Sequence, residues 1–218
     1  MRQWYQFIRY IFLSRLIKGK RVLVIGSGLS ARKLNRIPEG FLVFTCNRGI
    51  KLLNDIKFNG TIDLYISPAD CLENYREIGE NLQSAKIKIF IIDNLYYIKN
   101  RPFLKKTCQC LLQDDFTSNR YLRSLIPGLE RLGKLKGSSV PWTSTGMRLL
   151  QYALYFKAKE IYLIGLDLDT NGYFDGQQNL LYDHVDIDNN VMRLWLEKYN
   201  NIYSLTKGAQ GELLSLIR

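Results

Sequence analysis

The sequence predicts an α/β protein, in which a mostly parallel β-sheet is flanked by helices. Short runs rich in β-branched and other apolar residues, each typical of a buried strand, alternate with stretches whose apolar residues recur at helical spacing. The 218-residue chain is also long enough for one domain of this kind. Because strands and helices alternate, we expect right-handed crossovers and a single Rossmann-like domain.

The individual elements follow from these local patterns. Strands are predicted at Arg21–Gly26, Phe41–Asn47, Ile62–Ser67, Ile87–Asp93, Glu160–Asp167 and Asn201–Leu205. Helices are predicted at Ser30–Asn35, Ala69–Leu82, Thr145–Lys157 and Asn189–Tyr199. Residues 94–141 break the alternation, because they combine aromatic pairs with an excess of basic residues. They are predicted to form a small inserted lid subdomain within a domain that spans residues 21–218.

Residues 1–20 form a basic amphipathic segment ahead of that domain. Arg9 and Arg15 interrupt its apolar residues and no cleavage site of small residues follows, which argues against a secretory signal. Two interpretations remain open. The segment could be a helix that lies on the inner face of an anionic membrane, or a helix that packs on the domain's own core or on a partner subunit.

Composition narrows the classes of partner and site. The net charge of +11 favours an anionic partner such as nucleic acid, a phosphorylated glycolipid, an acidic membrane or a nucleotide. The cysteines lack the spacing of a zinc site and are expected to be buried thiols in a reducing compartment: Cys46, Cys71, Cys108 and Cys110. The chain has a single histidine, His184, which excludes any site that needs two.

A glycine-rich turn, Gly26-Ser27-Gly28-Leu29-Ser30, follows the first predicted strand. A strand, such a turn and the start of a helix can hold a nucleotide or another anion, because glycine lets the backbone approach the ligand closely. NAD is disfavoured, since the second strand ends in Cys46-Asn47 and not in an acidic residue. A tight turn with no ligand remains the alternative.

Polar residues follow several other predicted strands. Asn47, Ser67 and Asp167 come at strand ends, and ligands of parallel sheets bind beyond the carboxyl ends of the strands. Ser144 and Thr145 lie at the start of a predicted helix, where they could bind a phosphate or carboxylate or cap the helix. These residues are expected to converge with the glycine turn on one crevice.

In this order, the pieces resemble the bacterial sialyltransferases of glycosyltransferase family 42. The segments that carry the resemblance are VLVIGSGLS, FLVFTCN, TSTG with the helix after it, KEIYLIGLD, Asn171–Asp175, His184 and LWLEKYNNIYSL. The resemblance implies inverting transfer of sialic acid, or a related acidic sugar, from a CMP-sugar to a hydroxyl of a bacterial surface glycan. It implies no metal or other cofactor.

The resemblance also implies a role for each matching residue. His184 would be the general base and Tyr173 would donate its hydroxyl to the leaving phosphate. The donor and its nucleotide would be bound by Gly26, Ser27, Gly28, Ser30, Asn47, Ser67, Ser144, Thr145, Gly146 and Asp167. A base fits the chemistry, because a sugar hydroxyl is a poor nucleophile until its proton is removed. The residues alone favour a surface-loop histidine for His184, and the match to the family reverses that preference; Tyr173 could be a packed loop aromatic.

The sequence departs from the family's pattern at some positions. Trp142 stands where the family has arginine, and Asp169 stands where it has a tyrosine that contacts the leaving phosphate. Asp167-Leu168-Asp169 matches the D-x-D pattern with which many nucleotide-sugar transferases hold a divalent ion. The departures leave open CMP-Kdo or another nucleotide sugar as the donor, with metal held by Asp167 and Asp169.

Two further alternatives remain: a nucleotide-binding module without transfer, and a nucleic-acid-binding protein. The nucleic-acid interpretation ranks last, because no recognised nucleic-acid motif accompanies the positive charge. For the transferase, we expect a CMP-sugar donor, a glycan or glycolipid acceptor and peripheral contact with an anionic membrane. The expected location is the cytoplasm or the inner face of the cytoplasmic membrane, and family members often form homo-oligomers.

Overall fold

The computed structural model describes residues 11–92, 102–113, 143–169, 171–177 and 184–205. The strands are β1 (Arg21–Ile25), β2 (Phe41–Cys46), β3 (Thr61–Ile66), β4 (Lys86–Ile92), β5 (Cys108–Gln113), β6 (Glu160–Ile164) and β7 (Ile202–Ser204). The α-helices are α1 (residues 11–17), α2 (Gly49–Asp55), α3 (Ala69–Asn74), α4 (Arg76–Ser84), α5 (Pro102–Thr107), α6 (Thr145–Tyr155) and α7 (Val185–Lys198). A short 3-10 helix, Leu29–Lys33, follows β1.

The strands form one sheet in the order β5-β4-β3-β2-β1-β6-β7, and every described pairing is parallel. The predicted α/β class and parallel sheet are therefore confirmed. The central strands are buried on both faces, which is why β1 reads as an unbroken apolar run, with Val22 to Ile25 all fully buried.

Helices cover both faces of the sheet. One core contains Val22 and Val24 of β1 together with apolar residues of α1, α6 and α7. The other contains Leu23 and Ile25 with apolar residues of α2, α3, α4 and α5. Alternate residues of one strand thus enter opposite cores, as the period of two in a strand requires.

Some predicted elements differ from the structure. The helix predicted at Ala69–Leu82 is two helices, because Tyr75 takes an extended conformation with φ −120° and ψ 90°. Residues 102–113 lie within the predicted inserted lid, yet they form α5 and the edge strand β5 of the main sheet. Residues 114–141 lie outside the described residues, so a lid there stays a prediction.

Of the basic segment 1–20, the structure describes residues 11–20, and α1 packs on the domain's own core. Leu13 and Ile17 are buried against the sheet. Ile11 and Phe12 remain 36% and 41% exposed. The core-packing interpretation therefore holds for one side of α1, while the other side faces outward. Within the described residues, no helix has the length and hydrophobicity needed to cross a membrane.

Candidate active site

A cavity of about 400 Å³ opens at the carboxyl edge of the sheet, where the chain leaves β1 and β6. The strand order reverses between these two strands, and ligands of open parallel sheets bind at such a point. The predicted site residues that line the cavity are Gly26, Ser27, Gly28, Asn47, Ser144, Thr145, Gly146, Asp167, Tyr173 and His184. Residues from distant parts of the chain thus share one wall.

Two glycine turns at the ends of β1 and β6 fit closely against each other. A Cβ on Gly26 would lie 2.2 Å from the Gly165 carbonyl oxygen, and one on Gly28 would lie 2.6 Å from the Asp167 carboxylate. Gly165 itself has a φ of +71°, which favours glycine. Contact between the two turns is therefore enough to require these glycines, with or without a ligand.

The N–H groups of the glycine turn are largely used within the protein. The Gly28 N–H donates to the Gly165 carbonyl at 2.8 Å, and the Ser30 N–H donates to Asp167 Oδ2 at 2.7 Å. The Ser30 hydroxyl donates to the same carboxylate and accepts the Gly165 N–H. Ser30 thus lies behind the cavity wall, where it ties the two turns together and does not face a ligand as expected.

Asp167 and Asp169 line the cavity on the segment after β6. Asp169 accepts hydrogen bonds from the backbone N–H and the side-chain amide of Asn171, at 3.1 and 2.8 Å, while Asp167 is bonded to Ser30. Within the described ranges, no three His, Cys, Asp or Glu side chains are grouped to hold a metal ion. The metal alternative therefore rests on these two carboxylates.

Asn47 and Ser67 both follow strands, and of the two Asn47 reaches the cavity. Asn47 has a left-handed φ of +43°, and its buried Oδ1 has no hydrogen-bond partner among the described residues. Ser67 is fully buried, and its N–H continues the ladder to the Ile91 carbonyl at 3.2 Å. The expectation that Ser67 faces a ligand is not met.

Ser144, Thr145 and Gly146 begin α6 at the cavity wall. Ser144 is the N-cap, and its Oγ accepts the Met147 N–H at 3.4 Å, as the capping interpretation predicts. Gly146 leaves room for a neighbour, since a Cβ there would lie 2.7 Å from Leu166 Cδ2. The cap fixes where α6 starts and so brings these residues to the cavity.

Tyr173 lies on residues 171–177, a segment fastened to the glycine turn. Tyr173 forms an isolated antiparallel bridge with Gly28, and the Phe174 N–H donates to the Ser27 carbonyl at 2.9 Å. Burial raises the pKa of Tyr173 above its ordinary value, while the nearby Arg48 opposes this rise. The phenol is therefore protonated at neutral pH and can donate a hydrogen bond.

His184 is the N-cap residue of α7 and lines the same cavity as the glycine turn and Asp167. The sequence alone left open a loop histidine away from any site. The structure places the residue instead where a ligand bound between the glycine turn and α7 would meet it.

Arg48 supports the candidate site, and sequence reasoning did not identify it. Its side chain is only 4% exposed, bonds Glu77, and lies 2.9 Å from the Asp175 carboxylate. The guanidinium also lies 4.5 Å from the ring centre of Tyr75 and 5.3 Å from that of Tyr173. Arg48 thus holds the segment that carries Tyr173. No local pattern could link positions so far apart in the chain.

Asp188 was also missed, although it lines the cavity and is only 3% exposed. Burial raises its pKa to about 6, against hydrogen bonds from Ser144 and the charges of His184 and Arg148. The helix was predicted to start one residue after Asp188, but α7 begins at Val185. An Asp four residues after the only His is the signal that could have found it.

The described wall of the cavity carries more acidic than basic side chains. Arg148, on the first turn of α6, is its one lysine or arginine. The carboxylates of the wall belong to Asp70, Asp167, Asp169 and Asp188. The positive charge of the chain as a whole is therefore not concentrated on this part of the wall.

Comparisons with known proteins identify solved structures that have a similar fold. No protein-family profile matches the chain, and no curated protein matches it. Solved structures do match. The sialyltransferase CstII from Campylobacter jejuni, in complex with cytidine-5'-monophosphate, is 19% identical with a TM-score of 0.60, over 92% of this chain and 86% of that one. The chain thus has a fold seen in a nucleotide-binding sialyltransferase.

Two other structures give the same result. CstII in complex with the substrate analogue CMP-3FNeuAc is 17% identical with a TM-score of 0.58, over 91% of this chain and 87% of that one. An α-2,3-sialyltransferase from Campylobacter jejuni in its apo form is 15% identical with a TM-score of 0.52, over 86% of this chain and 75% of that one. At these identities the likeness concerns the fold.

Proposed function

We propose that this protein is an inverting glycosyltransferase that moves sialic acid, or a related acidic sugar, from a CMP-sugar to a hydroxyl of a bacterial surface glycan such as lipopolysaccharide. The observation that carries the proposal is the position of His184 in the same cavity as the glycine turn and Asp167. The fold shared with CstII structures that hold CMP and CMP-3FNeuAc supports the choice of donor.

The proposed reaction is one displacement. The acceptor O–H bond breaks as His184 takes the proton, and the acceptor oxygen forms a bond to the anomeric carbon of the donor sugar. The bond from that carbon to the phosphate oxygen breaks on the opposite face, and its electron pair leaves with CMP. The Tyr173 phenol, which burial keeps protonated, donates a hydrogen bond to the leaving phosphate. In this reaction no metal takes part.

The proposal has a direct test in two measurements. CMP should raise the melting temperature of the protein, whereas UMP, AMP and NAD at the same concentration should not. With CMP-sialic acid and a galactose-terminated acceptor, the protein should release CMP, and the new linkage should have the anomeric configuration opposite to the donor's. If CMP binds but the protein releases no CMP from CMP-sialic acid with any acceptor, the protein is instead a nucleotide-binding module.

His184→Ala separates catalysis from binding. We expect kcat to fall about 10²- to 10⁴-fold, because the acceptor loses its base, while CMP still binds. Arg193→Ala is a matched control, since Arg193 is exposed on the same helix α7. Turnover of His184→Ala at the wild-type rate would rule out His184 as the base.

We further propose that the enzyme contacts an anionic membrane through the edge of the sheet opposite the cavity. The Gly19 N–H donates to the Lys157 carbonyl at 2.9 Å, and the Lys159 N–H donates to the Lys20 carbonyl at 2.8 Å. These bonds bring two exposed lysine-rich segments together beside α1, where Ile11 and Phe12 are exposed. Cations next to exposed apolar side chains suit a surface of anionic lipid.

A further inference from the structure

Asp188 is a buried carboxylate that takes no part in the proposed displacement. It lies on the first turn of α7, one helical turn after His184, and lines the cavity while only 3% exposed. A carboxylate removed from water costs free energy unless it is paired or hydrogen-bonded. Its partners should therefore indicate why it is there.

The partners of Asp188 come from the starts of two helices. The Ser144 N–H, at the N-cap of α6, donates to Asp188 Oδ1 at 3.0 Å. The charges of His184, at the N-cap of α7, and of Arg148, on the first turn of α6, both act on the carboxylate. Asp188 therefore stands where the N-termini of α6 and α7 meet at the cavity.

Other charged or titratable groups line the described wall of the same cavity as His184. They are Cys46, Asp70, Cys71, Arg148, Asp167, Asp169 and Tyr173. Asp167 and Asp169 are held by hydrogen bonds to other residues, and Cys46 is a neutral thiol because burial raises its pKa to about 12. Asp188 differs from them in lying one turn along the helix that His184 begins.

Building on the proposed function, we propose that Asp188 is a positioning residue for the base. Its carboxylate fixes the Ser144 end of α6 against His184 and balances the charge that the imidazole gains when it takes the acceptor's proton. The proton stays on His184 during the displacement, and Asp188 remains ionised throughout. Asp188 touches neither the donor nor the acceptor in this scheme.

Because the chain has one histidine, NMR can follow this imidazole alone. Asp188→Asn keeps the size of the side chain and an acceptor for the Ser144 N–H but removes the charge. We expect the imidazole of this variant to lose its proton at a lower pH than in the wild type, because the carboxylate charge that favours the protonated ring is gone. We also expect kcat to fall about tenfold or more, with CMP binding unchanged.

Asp186→Asn is the matched control, because Asp186 lies on the same first turn of α7 but is exposed. It removes the same charge from the same helix end, and we expect less than a twofold change in either quantity. Asp188→Ser provides a second neutral variant, which also shortens the side chain, and it should shift the titration in the same direction as Asp188→Asn does. If either neutral Asp188 variant titrates like the wild type, the positioning role is wrong.

The NMR titration needs no turnover, so it separates this inference from the proposed function. A wild-type protein that releases no CMP from any CMP-sugar would contradict the transferase, while the titration would still test the link between Asp188 and His184. An unchanged titration in a protein that does turn over would contradict only the role of Asp188.

Discussion

The two edges of the sheet hold their charges differently. At the amino edge, which is the side of the sheet where the strands begin, lysines on two segments are exposed and lie side by side: Lys18, Lys20, Lys157 and Lys159. At the carboxyl edge, Arg48 is buried and paired, and the described cavity wall has several carboxylates but one arginine, Arg148. The central strands β1 and β2, of five and six residues, hold the edges about 17–20 Å apart.

This difference changes what the net charge means. The +11 charge of the chain could have belonged to one surface that binds an anionic nucleotide. The structure instead has exposed cations at one edge and the cavity at the other. Most of the charged side chains on the described wall of the cavity are acidic. The exposed cations at the amino edge therefore suit a partner with an extended anionic surface. The charged side chains at the cavity instead hold particular groups in place.

The largest expected effect comes from the buried cation at the cavity edge. Arg48→Met leaves Asp175, whose side chain is 6% exposed, without its cation, and we expect the free energy of unfolding to fall by about 3–5 kcal/mol. Urea unfolding measures this. Arg76→Met is the control, because Arg76 pairs with Glu80 at the surface and should change stability by a small fraction of that.

The second prediction concerns Asp188 and pH. Its pKa rises from an ordinary 3.8 to about 6 in the folded chain, so the folded state binds more protons than the unfolded state between these values. The stability contributed by protonated Asp188 is present below about pH 4 and is lost as the pH rises through 6. Asp188→Asn should therefore be more stable than the wild type by about 3 kcal/mol at pH 8.

Thermal unfolding of both proteins from pH 4 to pH 8 measures that difference. The gap should close as the pH falls, and Asp186→Asn should show no such gap, because Asp186 is exposed. Equal stability of Asp188→Asn and the wild type at every pH would contradict the prediction. A gain in stability accompanied by a loss of kcat would indicate that the buried charge serves function at the expense of stability.

The third prediction tests the cavity's single described arginine. Arg148→Ala should weaken CMP binding about 10- to 100-fold, since a charge-assisted hydrogen bond to the phosphate would be lost. Cytidine lacks the phosphate, so its affinity should not change. Titration calorimetry with both ligands measures this, with Arg193→Ala as the control. Equal losses for CMP and cytidine would show that Arg148 supports the cavity's shape and does not bind phosphate.

The sequence predicts the fold well because buried parallel strands have a local signature. The β1 run, Val22 to Ile25, is apolar throughout, and the predicted strands end within a few residues of the observed ones. The β5 strand was not predicted, since Cys108 to Gln113 mixes polar and apolar residues at the edge of the sheet. An edge strand has neighbours on one side only, so its sequence carries less of the signal.

The site was predictable where a residue follows a strand and unpredictable where partners are distant. Asn47 and Asp167 reach the cavity because they continue β2 and β6. Ser67 follows β3 in the same way but stays inside the sheet layer, since it still pairs with Ile91 of β4. The pairing of Arg48 with Asp175 depends on the folded chain alone, because no local pattern joins them.

The smallest expected effect is at the amino edge. Replacing Lys18, Lys20 and Lys157 with Gln should weaken binding to vesicles that contain phosphatidylglycerol by about tenfold or more, because each lysine near the surface is attracted to anionic lipid. Lys159 is left unchanged, since Glu160 lies 3.8 Å from it and offsets its charge. Vesicle flotation measures the binding.

The control is a triple variant that removes the same charge at exposed cations elsewhere: Arg76, Lys106 and Arg193. It should float like the wild type. CMP release with a soluble acceptor should be the same in both triple variants, because neither alters the cavity edge. Equal loss of flotation in the two variants would mean that net charge, and not this surface, draws the protein to lipid. Equal binding of the wild type to neutral vesicles would contradict the electrostatic contact, and the two edges would then differ in burial but not in partner.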